Sequence, residues 1–142
     1  MQHDHYDDAY LRDILKGVRR IAVVGASPNA ARPSHGVMAF LIARGYEVLP
    51  VNPGQAGKQI LGRRTYGSLA DIEGRIDMVD VFRAADQLPA LVDEILALEH
   101  RPAIIWGQLT VRDDKAAAKA EAAGIKVVMD RCPAIEYPRL IG

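Results

Sequence analysis

Short, largely apolar runs alternating with stretches of helical spacing constrain this chain more than any other feature. Ile21 to Val24 is the first and is continuous; Tyr46 to Val51, Asp77 to Phe82, Ala103 to Trp106 and Ile125 to Met129 are further strand-like runs in which Glu47, Asp77, Asp80 and Lys126 are the only charged residues. A run without polar alternation suits a strand buried on both faces, as in a parallel sheet. Between the runs, Val37, Met38, Leu41 and Ile42 fall at helical spacing, with Ser34 placed as N-cap and Gly45 as terminator. Leu88, Leu91, Val92, Ile95 and Leu98 do the same within Asp86 to Glu99, and Val111 to Ala123 reads as an alanine-rich helix closed by Gly124. Ahead of the first run, Tyr10, Leu11, Ile14, Leu15 and Val18 predict an amphipathic helix ending near Gly17. Such alternation predicts an α/β, Rossmann-like doubly wound sheet, mainly parallel, of five or six strands with helices on both faces.

Three stretches are less regular. Gln55 to Gly67 is glycine-rich, with a short strand expected near Ile60–Leu61 or Thr65–Tyr66, and Ser68 is placed to cap a brief turn through Ile72. The tail from Cys132 to Gly142 holds two prolines and reads as loop. Met1 to Asp8 is polar, with His3 and His5 flanking Asp4, and reads as a frayed, solvated end rather than a metal site. No repeat or linker interrupts the 142 residues, so one domain is expected.

Charge and cysteine content narrow the function. Lysine plus arginine equal aspartate plus glutamate at 18 each, where nucleic-acid binders show a basic excess. Cys132 is the only cysteine, which excludes an intramolecular disulfide and a cysteine-based zinc site. No signal-peptide core and no apolar run near the roughly 18 residues of a membrane span are visible, so the expected location is the cytoplasm.

In open parallel sheets, ligands bind beyond the carboxyl ends of the strands. The segments that follow the runs are Gly25-Ala26-Ser27-Pro28, Asn52-Pro53-Gly54, Arg83-Ala84, Gly107-Gln108-Leu109 and Asp130-Arg131-Cys132. The first is the most telling. Glycine and alanine let backbone N–H groups approach a pyrophosphate, and the next helix adds its positive end. Ser27 and Ser34 can donate hydroxyl hydrogen bonds to phosphate, and Arg32 can add a bidentate contact. A ligand-free turn is the plain alternative. NAD is disfavoured: Gly25 lacks the Gly-x-Gly-x-x-Gly continuation, and Val51-Asn52-Pro53 offers no acid for the ribose. A ligand with a phosphate near its ribose, such as coenzyme A or NADP, suits that gap.

These segments together resemble a family. The run Gly-Ala-Ser-Pro-Asn-Ala-Ala-Arg-Pro-Ser-His-Gly (25–36), then Val-Asn-Pro (51–53), Val-Asp-Val-Phe-Arg (79–83), Gln-Leu (108–109) and Met-Asp-Arg-Cys-Pro-Ala-Ile-Glu (129–136) is similar to the small stand-alone CoA-binding proteins. These in turn are similar to the N-terminal CoA-binding domain of the succinyl-CoA synthetase α subunit. The resemblance implies a Rossmann-like fold with CoA across the strand ends. It would place Gly25 to Pro28 and Arg32 near phosphates and Asn52 and Pro53 beside the adenosine. Phe82, Arg83, Gln108 and Leu109 would then line the rest of the path. The synthetase's phosphoryl-carrier domain has no counterpart in the sequence, so ligase chemistry by this chain alone is not expected.

Other residues carry weaker signals. Arg83 ends a run at the expected cleft, where a cation could meet the pyrophosphate or form a surface salt bridge. Lys58 could reach a ribose phosphate or stay solvated. His35 is expected to be half-exposed and turned away. Asp80 lies among valines and reads as a buried carboxylate bonded to neighbouring backbone; without a partner base neither it nor Asp77 is assigned catalysis. Trp106 is expected at the edge of the core. Cys132 sits beside Arg131, which would favour a thiolate able to join the thiol of CoA as a mixed disulfide, against the alternative of an inert buried cysteine. The leading expectation is a non-catalytic module that binds or senses CoA or an acyl-CoA, its protein partner unreadable. The alternative is an NAD(P)-dependent oxidoreductase.

Overall fold

The computed structural model describes residues 1–142. In chain order its elements are α1 (Asp8–Gly17), β1 (Arg20–Val24), α2 (Pro33–Ala43), β2 (Glu47–Val51), β3 (Gln59–Ile60), β4 (Arg63–Arg64), β5 (Met78–Val81), α3 (Leu88–Leu96), β6 (Ile104–Gly107), α4 (Asp114–Ala122), β7 (Lys126–Val128) and α5 (Pro133–Leu140). Five strands form one sheet in the order β2-β1-β5-β6-β7, every pair parallel. Pro50 stands in β2, the edge strand, where a missing N–H costs no ladder bond.

The largely apolar runs are explained by two cores. Along β1, Ile21 and Val23 face one helical layer while Ala22 and Val24 face the other. The first layer contains α1, α2 and α5, the second α3 and α4. Every central strand is therefore covered twice, and its side chains are apolar at both parities.

Asp80 breaks this rule. It stands in the row Val23–Asp80–Trp106–Val128, whose other three members belong to the α1/α2/α5 core. It is fully buried, and neither carboxylate oxygen has a hydrogen-bond partner. The expected bond to neighbouring backbone is absent, because the sheet ladder already engages those groups. Burial pushes its carboxyl well above the usual range. Its protonated form is thus the one that fits the fold. The resulting stability is fully present below the unfolded carboxyl pKa of about 3.9, and is lost as pH rises from there through the folded value. Asp80→Asn, which cannot ionise, should gain on the wild type in thermal unfolding as pH is raised. Parallel melting-temperature profiles from acid to mildly alkaline pH would show Asp80 to be satisfied after all.

The structure departs from the sequence reading at both ends. The tail expected as loop contains α5. Pro133 opens it at the position where a missing N–H is harmless, and Pro138 forfeits one internal bond that packing of Tyr137, Leu140 and Ile141 offsets. The polar start is not frayed. His3 is buried, its Nδ1 bonded to Tyr6 Oη at 2.5 Å and its Nε2 to Glu121 at 3.0 Å. Both ring nitrogens are engaged, while His5 remains exposed. Trp106 lies inside the core rather than at its edge, fully buried with its indole N–H donating to the Arg131 carbonyl at 2.9 Å. The glycine-rich stretch folds into the small antiparallel pair β3–β4 instead of joining the main sheet, though Tyr66 bridges Val51 beyond it.

Candidate functional site

β1 and β5 are neighbours, but α2 leaves β1 toward one face and α3 leaves β5 toward the other. The chain parts at their carboxyl ends, and a cleft of about 580 Å³ opens there. Gly25, Ala26 and Ser27 line it from β1, Asn52 from β2, Phe82, Arg83 and Ala84 from β5, and Gln108 to Val111 from β6. Arg32, Pro33 and Ser34 close it at the start of α2.

Gly25 makes the close approach possible. Its φ is +90°, and a Cβ there would lie 2.6 Å from the Phe82 carbonyl oxygen. Phe82 N–H donates to the Val24 carbonyl at 2.8 Å, which draws the two strand ends together. The loop beyond is held by its own side chains. Ser27 N–H donates to Ser34 Oγ at 3.1 Å, Asn29 N–H to Ser27 Oγ at 3.1 Å, and Ala31 N–H to Asn29 Oδ1 at 2.9 Å. Ser34 therefore braces the loop from inside the first turn, and Arg32 rather than Ser34 occupies the N-cap position. Both serine oxygens act here as acceptors, so each hydroxyl hydrogen remains available to donate. Asn52 ties the neighbouring loop in: its Nδ2 donates to the Ala26 carbonyl at 2.8 Å and its Oδ1 accepts from Gly54 N–H at 2.9 Å.

The β6 side carries a backbone feature invisible in residue types. Thr110 and Asp130 both adopt positive φ, at 73° and 57°. Asp130 Oδ1 accepts from Thr110 N–H at 2.6 Å, and Asp130 N–H donates to the Val111 carbonyl at 3.2 Å. Thr110 and Val111 reach the cleft through this brace; neither residue type signals it in sequence.

Of the residues expected at the site, Gly25, Ala26, Ser27, Arg32, Ser34, Asn52, Phe82, Arg83, Gln108 and Leu109 converge on the cleft. Pro28 and Lys58 are exposed and lie outside its lining. Pro53 lines a smaller cavity of about 240 Å³ that shares Arg83 with the cleft. Cys132 is buried in the α1/α2/α5 core, outside the lining, as the residue preceding α5. The Arg131 guanidinium is directed to the Asp130 and Asp4 carbonyls and to the Tyr6 ring.

The electrostatics of the cleft are one-sided. Its lining holds two guanidiniums, Arg32 and Arg83, and no carboxylate. Neither arginine forms a salt bridge, unlike Arg20, Arg112 and Arg139. A second cavity of similar volume, about 590 Å³, is lined by Glu73, Glu94 and Glu99 and would repel an anion.

Comparison with known proteins agrees with this geometry. Residues 19–138 match the family model described as a CoA binding domain. The chain is 38% identical over 124 residues to the uncharacterized protein YneT of Bacillus subtilis, covering 87% of this chain and 89% of that protein. A hypothetical protein from Pyrococcus horikoshii OT3 superposes over 100% of both chains with a TM-score of 0.88 at 33% identity. A Thermus thermophilus structure covers 96% of this chain and 100% of its own, with a TM-score of 0.89 at 38% identity. The match spans every strand of the main sheet and every loop that lines the cleft, and the chain belongs to the CoA-binding domain family.

Proposed function

We propose that the cleft binds coenzyme A or an acyl-CoA and that the chain works as a one-domain, non-catalytic holder or sensor of that cofactor in the cytoplasm. The observation that carries this reading is the pair of unneutralised guanidiniums, Arg32 and Arg83, in a cleft without carboxylates. Family membership supports CoA as the anion. The lining's hydroxyls, on Ser27, Ser34 and Thr110, have no histidine, carboxylate or amine in the lining to activate them, which supports holding the ligand over acid–base or nucleophilic chemistry on it. In this arrangement Arg32, Ser27 and Ser34 would meet the pyrophosphate beside the β1–α2 turn. Arg83 would stand between the cleft and the smaller cavity beside Pro53.

Thermal unfolding with CoA, acetyl-CoA, NAD and NADP tests the choice of ligand. A ligand at about 100 times its dissociation constant adds roughly 2.7 kcal/mol of stability. Stabilisation by CoA and none by NAD is the expected result; the reverse would favour the oxidoreductase reading. The arginines give a second test. Arg32→Ala and Arg83→Ala should each weaken CoA by about 1.5–3 kcal/mol, or roughly 10- to 150-fold in calorimetry. Lysine at either position should recover part of this, since a point charge replaces a planar fork. Unchanged affinity in both alanine variants would remove these residues from the site.

A further inference from the structure

Gln108 presents an amide that the protein itself does not use. The residue is only 6% exposed, and its Oε1 is enclosed without a hydrogen-bond partner. Its backbone is fully engaged: Gln108 N–H donates to the Val81 carbonyl at 3.2 Å, and its own carbonyl accepts from Val111 N–H at 2.8 Å. The loop is thus fixed from both sides, and the side-chain amide is held at the cleft with nothing to pair with. An enclosed polar group without a partner costs stability, and a glutamine serving only as a spacer would be replaced at no loss by an apolar side chain of its shape. The surroundings differ from those of the arginine end. Phe82, Leu109 and Val111 give this part of the lining an apolar character, and Leu109 is half-exposed.

We infer that the Gln108 amide is the specificity element for an amide-bearing, largely apolar arm attached to the phosphate-bound part of the ligand. Under the CoA reading, on which this inference rests, that arm is the pantetheine chain. Its secondary amides offer the N–H and C=O that a carboxamide complements, and its methyl-bearing segment suits Leu109 and Val111. The cleft then has two ends with separate tasks. Arg32 and the β1–α2 turn hold charge, and Gln108 reads the arm.

The test compares CoA with adenosine 3′,5′-bisphosphate, which keeps the adenosine, the 3′-phosphate and the inner 5′-phosphate but lacks the outer phosphate and the arm. Gln108→Leu removes the amide and keeps the volume, and Gln108→Met is the unbranched second choice. Calorimetry should show CoA weakened about tenfold in the variant and the bisphosphate unchanged. The ligand-free variant should melt no lower than the wild type, since Gln108 Oε1 has no partner within the protein, so a loss of CoA affinity is then not a loss of fold. Unchanged CoA affinity, or equal weakening of both ligands, overturns the role of Gln108 while leaving the CoA reading intact. A wild type that binds neither compound overturns the CoA reading itself, and the assignment of Gln108 with it.

Discussion

Gly25→Ala is expected to cost about 2–5 kcal/mol of stability and to close the cleft to its ligand. The first part of the loss is conformational. A φ of +90° is open to glycine, and a side chain there costs roughly 1–2 kcal/mol. The second part is steric. The new methyl would lie 2.6 Å from the Phe82 carbonyl oxygen, which is backbone at the end of a central strand and cannot swing aside. Forcing such a contact costs about 1–3 kcal/mol. Gly45 provides the control, since it has the same φ of +90° and nothing within 4 Å of the position a methyl would take. Gly45→Ala should therefore show the conformational part alone in denaturant unfolding. Equal losses at the two positions would show that β1 and Phe82 can move apart at little cost.

Trp106→Ala should destabilise by about 3–5 kcal/mol, the range for removing a large buried aromatic side chain. The indole is fully buried in the row that also holds Val23, Asp80 and Val128, under the α1/α2/α5 layer. Trp106→Phe separates the two contributions. It keeps most of the apolar volume but removes the N–H that satisfies the half-buried Arg131 carbonyl, a loss of roughly 1 kcal/mol. Denaturant unfolding followed by circular dichroism gives both values. A loss under about 1.5 kcal/mol for the alanine variant would mean that the core collapses readily around the gap.

The five parallel strands are legible in the sequence because burial on two faces leaves an unmistakable mark: apolar side chains at both parities, as from Ile21 to Val24. The cleft is legible for the same reason, since the carboxyl ends of those strands must lie together. What escapes is set by contacts between residues distant in sequence. His3 looks like a solvated histidine until Glu121 and Tyr6 are beside it. Pro133 and Pro138 read as loop punctuation, yet one opens α5 and the other is carried within it by packing. Ser34 has the residue type of a cap, but its oxygen is claimed by Ser27 N–H. The positive φ of Thr110 follows from the Asp130 carboxylate, and no local rule proposes a threonine there.

The clasp around the first residues has a consequence for the order in which the molecule is completed. Tyr10 donates to the Val127 carbonyl, Tyr6 Oη accepts from Met129 N–H, Arg12 donates to the Leu140 carbonyl, and Arg139 pairs with Asp8. Every one of these partners is made more than a hundred residues after the group it secures. During synthesis, α1 must therefore wait with its Leu11 and Leu15 face only partly covered until residues 127–140 emerge. Closing so long a loop carries a large entropic cost before any contact repays it. A segment made early in the domain is among the last parts of it to be locked. The nascent chain spends that interval with an adhesive helix exposed, which is when chaperone contact and aggregation would compete with folding.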